Sequence, residues 1–158
     1  MDRISTRRQG DLGELSAMEW LGSKGYGVCF PIGHSPDYDL IADDGEALLR
    51  VQVKTTTQYV KRRWTVMICT RGGNQSWNGV VKWFGPSRCD RLFVLVADGR
   101  RWFIPAEAVE ARSGLRLGGP KYAEFEVEPG RPLPSRARPD RYPRQPRRGT
   151  QAVNGTGL

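Results

Sequence analysis

The sequence predicts an α/β domain with a mixed, largely antiparallel central sheet flanked by helices. Three observations predict it. The chain opens with a stretch whose apolar residues recur at helical spacing. A first hairpin pattern follows, with strict alternation of apolar and polar residues on its return strand. A second hairpin pattern lies some forty residues later, again turning on Asp-Gly.

Residues 7 to 24 read as a helix, with Ser5 or Thr6 as N-cap. At about 100° per residue, Ala17, Met18 and Leu21 fall within about 60° of Glu14. A carboxylate therefore lies inside the apolar stripe, where it would be costly without a partner. Gly10 and Gly13 weaken the first turns but permit close approach of another backbone or of a phosphate. Asp39-Leu40-Ile41-Ala42, the turn Asp43-Asp44-Gly45-Glu46 and Ala47 to Lys54 form the first hairpin. A turn centred on Asp44-Gly45 sets Asp39 across from Arg50 and Asp37 across from Gln52. Leu49, Val51 and Val53 share one face, and Arg50, Gln52 and Lys54 share the other. A one-residue slip would exchange these faces. Tyr59 to Trp64 interleaves aromatics with Lys61, Arg62 and Arg63. Thr65 to Thr70 reads as a strand, and Arg71 to Gly79 as a polar, glycine-rich loop. Leu92 to Ala97 and Trp102 to Pro105 form the second hairpin across Asp98-Gly99. Ala106 to Arg112 reads as a short helix, and Tyr122 to Val127 as a strand closing the sheet.

Composition limits the function classes. At 158 residues, of which 38% are hydrophobic, one domain is expected. Cys29, Cys69 and Cys89 are odd in number and widely spaced, which disfavours a disulfide framework or structural zinc. A reducing cytoplasm, with the protein on the nucleoid, is the expected location. No stretch is apolar enough for a membrane span, and the polar N-terminus is unlike a signal peptide. The single histidine, His34, disfavours zinc-hydrolase or Ser-His-Asp chemistry. Of the net charge of +8, six units belong to residues 129 to 158, which hold seven Arg and one Asp. That segment is rich in Pro and Arg with almost no apolar anchors. It is expected to be a disordered basic tail behind a domain spanning residues 1 to 128. Such a tail either tracks phosphates or is an inert, charged extension.

One constellation carries chemistry: Glu14, then Asp39, then Gln52-Val53-Lys54. Two carboxylates and an amide oxygen are hard ligands of the kind Mg²⁺ prefers. Each alone has a plainer reading, as an exposed helix residue or a solvated sheet face. Arg7 and Arg8 at the helix start are candidate phosphate contacts, as is the helix N-terminus. Arg50, Lys61, Arg62, Arg63 and Arg71 add positive charge. Asn74 and Gln75 in the glycine-rich loop are candidates for reading base edges.

Gly10-Asp11-Leu12-Gly13-Glu14, Pro36-Asp37-Tyr38-Asp39-Leu40-Ile41 and Val51-Gln52-Val53-Lys54-Thr55 together resemble the PD-(D/E)XK nuclease superfamily, with its restriction-endonuclease-like core. Asp90 to Val94 and Trp102 to Pro105 are similar to its last two core strands. The likeness is greatest to the branch of group I intron-associated homing endonucleases, and looser to Holliday junction resolvases. It covers about residues 7 to 110. It implies a metal-dependent endodeoxyribonuclease that hydrolyses phosphodiester bonds in duplex or branched DNA, with Mg²⁺ as cofactor and Mn²⁺ able to substitute. Asp39, Gln52, the Val53 carbonyl and Glu14 would then hold the ion. Lys54 would orient the attacking water or neutralise charge on the phosphate. Gln52 stands where the superfamily carries an acid, and the intron-associated branch shares this feature. Asp39 rather than Asp37 is assigned to the metal because the apolar strand follows it directly. A homodimer or tetramer is the default, since self-association matches palindromic or four-way DNA. Two other readings stand beside this one. One is a non-catalytic DNA-binding module with a degenerate nuclease site. The other is a single-strand binder that stacks bases on Trp64, Trp77 and Trp83.

Overall fold

The computed structural model describes residues 4–33, 37–71 and 81–134. Helix α1 (Thr6–Ser23) is capped by Ser5, whose hydroxyl accepts from the Arg8 N–H at 3.2 Å. Of the two candidate caps, Ser5 is the one used. Gly13, Ala17, Trp20 and Leu21 form its buried stripe. Three strands follow: β1 (Gly27–Cys29), β2 (Leu40–Asp43) and β3 (Leu48–Thr56). Next come β4 (Tyr59–Val60), β5 (Arg63–Met67), β6 (Thr70–Arg71) and β7 (Val81–Lys82). The chain then returns through β8 (Arg91–Val96) and β9 (Arg101–Pro105), and ends with β10 (Gly114–Leu117) and β11 (Glu126–Val127).

Six strands build the central sheet, in the order β1-β2-β3-β8-β9-β11. All its pairings are antiparallel except β3 with β8, so the sheet is mixed and largely antiparallel as expected. Its two faces are covered differently. Helix α1 lies on one, where Ala17, Trp20 and Leu21 pack with Val51, Val53, Phe93 and Leu95. The other face is covered by a second sheet, β10-β5-β4, rather than by helices. Trp64, Val66, Leu115 and Leu117 from that sheet meet Leu92, Val94, Trp102 and Ile104 from the central one. The stretch expected as a helix from Ala106 to Arg112 makes only one 3₁₀ turn, Ala106–Ala108. Seven residues are too few to offset the cost of nucleating a helix, and Gly114 starts a strand soon afterwards.

The first hairpin differs in register from expectation. Ile41 pairs with Arg50 and Leu40 with Val51, so the ladder is shifted by two residues. The cause is a four-residue loop, 44 to 47. Asp44 Oδ1 accepts from the N–H groups of Glu46 (2.9 Å) and Ala47 (2.7 Å), and Asp43 Oδ1 from that of Gly45 (2.8 Å). These side-chain bonds satisfy a wider turn than the two-residue type. Only Gly45 takes a positive φ there, of 92°. A shift of two keeps every side chain on its face, so Val51 and Val53 are buried and Gln52 and Lys54 are not.

The β4–β5 hairpin does use a two-residue turn, but without glycine. Lys61 and Arg62 have φ of 48° and 59°. Left-handed backbone costs a side-chain-bearing residue about 1–2 kcal/mol.

The domain extends past Glu128. Leu133 is buried with the helix-side core, and its N–H donates to the Ala97 carbonyl at 3.0 Å. The Gly130 N–H donates to the Gly99 carbonyl at 2.8 Å. Arg101, itself buried, ties this strap to the helix through the Glu128 carbonyl (2.7 Å), Ser16 and Glu19. Residues 129 to 134 thus belong to the fold. The rest of the Pro/Arg-rich segment lies outside the described residues.

Candidate active site

The site forms where β2 stops short of β3. Along β3, alternate residues turn their backbone groups to opposite neighbours. The Arg50 carbonyl accepts from Asp90 N–H, on the β8 side, and the Val51 carbonyl from Asp39 N–H, on the β2 side, each at 2.9 Å. Val53 therefore turns toward β2 as well, but no strand residue of β2 remains there. The Asp39 carboxylate takes the place: its Oδ2 accepts from the Val53 N–H at 2.6 Å. The Val53 carbonyl points to this same edge.

Glu14 comes in from helix α1. Gly13, just before it, sits so close to β3 that a Cβ there would lie 2.8 Å from the Thr55 methyl. Thr55 Oγ1 donates to the Gln9 carbonyl at 3.2 Å, and Gln9 Nε2 to the Thr55 carbonyl at 3.4 Å. The helix and β3 are thereby latched beside Lys54. Glu14 and Asp39 feel each other's charge. Glu14 is held above the usual carboxylate range by burial, then by Asp39 and Asp11. Asp39 is also raised, chiefly by burial, against the opposing pull of the Val53 N–H and the Lys54 charge.

Gln52 opens to a small crevice on the face away from α1, shared with Asp37, Arg88 and Trp83. Asp37 Oδ1 accepts from Arg88 Nη1 at 2.9 Å, so a cation already attends this carboxylate. Among the described residues, no three His, Cys, Asp or Glu side chains gather into a metal-binding group. The candidate donors are two carboxylates, Glu14 and Asp39, the Gln52 amide oxygen and the Val53 carbonyl. That set fits a hard divalent cation that keeps several waters. Cys89, at the crevice wall, has its thiol pushed up to about 11 by burial, which disfavours the thiolate that a nucleophile needs.

The expected DNA contacts separate into three groups. Arg7, Arg8, Lys61 and Arg62 are exposed, the first two on the opening turn of α1 and the others on the β4–β5 turn. Arg63 is half-buried beside Gly119. Arg50 is committed elsewhere: it grips both carboxylate oxygens of Asp90 (3.0 and 3.1 Å) and reaches the Ser87 and Pro86 carbonyls. It is a clasp between β3 and the approach to β8, and a phosphate would have to displace these partners. Arg71 ends β6. Asn74, Gln75, Trp77 and His34 lie outside the described residues. Trp64 is buried against Tyr59 and cannot stack a base, which removes one of the three platforms a single-strand binder would need. Arg88 and Asp90 were not foreseen. Their partners lie 51 and 40 positions away, and nothing local to them announces the pairing.

Comparison with known proteins agrees with this geometry. No curated protein matches the sequence. Among solved structures, the chain is similar to "a bacterial homing endonuclease: I-Ssp6803I", with a TM-score of 0.60 and 22% identity over 78% of this chain and 88% of that one. At that identity the likeness speaks for the fold. The family model described as PD-(D/E)XK endonuclease matches residues 4–123, a span that includes the latch, the hairpin and both core strands that follow. The chain belongs to the PD-(D/E)XK endonuclease family.

Proposed function

We propose that this protein is a metal-dependent DNA endonuclease that hydrolyses phosphodiester bonds at the edge where β2 gives out beside β3. One observation carries the reading: Asp39 caps the Val53 N–H while sharing its electrostatic surroundings with Glu14 and Lys54. Glu14, Asp39, the Gln52 amide oxygen and the Val53 carbonyl are the groups to hold Mg²⁺, or Mn²⁺ in its place. A divalent cation bound there supplies Lewis-acid activation of the scissile phosphate. Lys54 directs its ammonium toward the attacking water and the phosphate oxygens, offsetting the charge that builds up in the transition state. Asp39, anchored at one oxygen by the Val53 N–H, keeps its other oxygen in a fixed direction. Arg7, Arg8, Lys61, Arg62 and Arg63 contact phosphates of duplex or branched DNA. A homodimer or tetramer would pair two such sites across the two strands. The solved neighbour's description as a homing endonuclease favours duplex cleavage over junction resolution.

The test is cleavage of supercoiled plasmid and of a synthetic four-way junction, with Mg²⁺ or EDTA, by wild type and by Lys54→Ala. Mg²⁺-dependent cutting that the variant loses supports the reading, and the substrate cut separates duplex from junction chemistry. The neutral Gln52 favours one rival, a binding module without cleavage. That protein would bind DNA equally in Mg²⁺ and EDTA and cut neither substrate.

A further inference from the structure

A long run of the chain carries cations and no acids of its own, and among its described residues only Arg50 and Arg88, near its two ends, are seen paired with carboxylates from outside it. From Ala47 to Cys89 there are eight Lys and Arg residues and no Asp or Glu. The β4–β5 hairpin stands in the middle of this stretch. Its turn places Lys61 and Arg62, both exposed, in consecutive left-handed conformations. Turns of this type favour Asn-Gly, which would relieve the strain. A fold selected for stability alone would not keep two long cationic side chains there. The strain is held in place from several sides. Arg116 of β10 donates to the Val60 carbonyl at 3.1 Å, spanning the middle strand. The Tyr59 ring packs on Trp64, 4.7 Å between centroids, and fixes the base of the hairpin to the core. One face of the sheet β10-β5-β4 is core, and Arg63, Thr65 and Arg116 belong to the opposite face.

The hairpin is also mechanically one piece with the catalytic strand. Thr56, at the end of β3, donates through Oγ1 to the Thr65 carbonyl at 2.8 Å, and Thr65 N–H donates to the Gln58 carbonyl at 2.9 Å. From Lys54 to Lys61 is seven residues, so the tip lies within about 23 Å of the catalytic lysine. That is less than one turn of duplex, about 34 Å.

We infer that the β4–β5 ribbon enters the major groove of duplex DNA within one turn of the scissile phosphate, with Lys61 and Arg62 leading and Arg116 bracing them. β10 pairs with β5 only as far as Trp64, so the tip from Val60 to Arg63 is two-stranded; such a tip fits the major groove, about 12 Å wide, and not the minor groove, about 6 Å wide. This rests on the nuclease reading and adds the groove, the element and its distance from the cut.

The test is Lys61→Asn/Arg62→Gly, which keeps the turn and removes its strain and charge. Binding to a 30-base-pair duplex is measured in EDTA across a salt series, with methylation of guanine N7 as the groove probe. The expected results are an unchanged or raised melting temperature and affinity at least tenfold lower at about 0.1 M salt. The slope of log affinity against log salt should fall by about two units, since each phosphate contact contributes about 0.9. N7 methylation within one turn of the contact should weaken wild type but not the variant. An unchanged salt slope, or equal sensitivity of both proteins to methylation, overturns the inference while Mg²⁺-dependent cutting by wild type still upholds the nuclease. Wild type that neither binds nor cuts DNA overturns both.

Discussion

Lys54, Asp39 and Gln52 make different predictions because they hold charge differently. Lys54→Ala should lower the cleavage rate by about 10²–10³-fold with DNA affinity retained, the cost typical of one lost transition-state donor; single-turnover cleavage measures it. Gln52→Glu should tighten divalent binding, since a charge replaces a neutral oxygen, and calorimetry with Mn²⁺ would read it. Glu14 and Asp39 are both raised above the ordinary carboxylate range, burial being the first cause. Without metal, each therefore adds to stability below that range, and the addition is lost as pH rises through the raised values. A cation binds the ionised pair, so the melting-temperature gain on adding Mg²⁺ should grow as pH rises through these raised values; a gain that is flat with pH would put the ion elsewhere. Glu128 has the opposite sign. Lys24 and the Trp20 indole N–H hold it down to about 2, so its support is present above the ordinary value and lost as pH falls toward about 2. Alternation alone placed Gln52 and Lys54 on one face. The task of Arg50 was hidden because Asp90 reaches it only through the tertiary fold.

The latch between α1 and β3 determines where Glu14 stands. Gly13→Ala would place a methyl group 2.8 Å from Thr55 Cγ2 and 3.3 Å from Val53 Cγ1. Helix propensity favours alanine by about 1 kcal/mol, but overpacking of this kind costs about 1–3 kcal/mol. The expected net is a lower urea midpoint and a larger loss in cleavage, because the helix carries Glu14 away from Asp39. Adding Thr55→Ser should recover part of both, which a purely local helix effect would not do. The helix itself was legible from spacing and from Ser5. The hairpin was legible in its faces but not in its pairing, because Asp43 and Asp44 bind the loop backbone and widen the turn. Strands β1 and β10 went unread. Gly-Val-Cys and Gly-Leu-Arg-Leu are too short for a period to register, and their neighbours in the sheets create them.

For the whole molecule, the composition boundary after Glu128 and the folded boundary differ by at least six residues. A chain ending at Glu128 loses Leu133 and the strap and should melt measurably lower, with a core leucine alone accounting for about 2–5 kcal/mol. One ending at Pro134 should keep its melting temperature, and a flatter salt dependence of DNA binding would then assign the remaining arginines to phosphates. Thermal melts and salt titrations of both truncations decide this. Mixed sheet and domain class were legible because hairpin signals repeat. The covering of the second face was not, since Trp64 and Leu117 meet only after the long crossover. That crossover also bears on the order of folding. Every candidate metal ligand is synthesised by residue 53, yet β3 gains its parallel partner only when β8 emerges, some forty residues later. Parallel pairing across such a gap closes slowly. A nascent chain on the ribosome, or a proteolytic fragment ending before β8, holds every candidate ligand without the strand that keeps them in register, and on the nuclease reading it should not cut DNA.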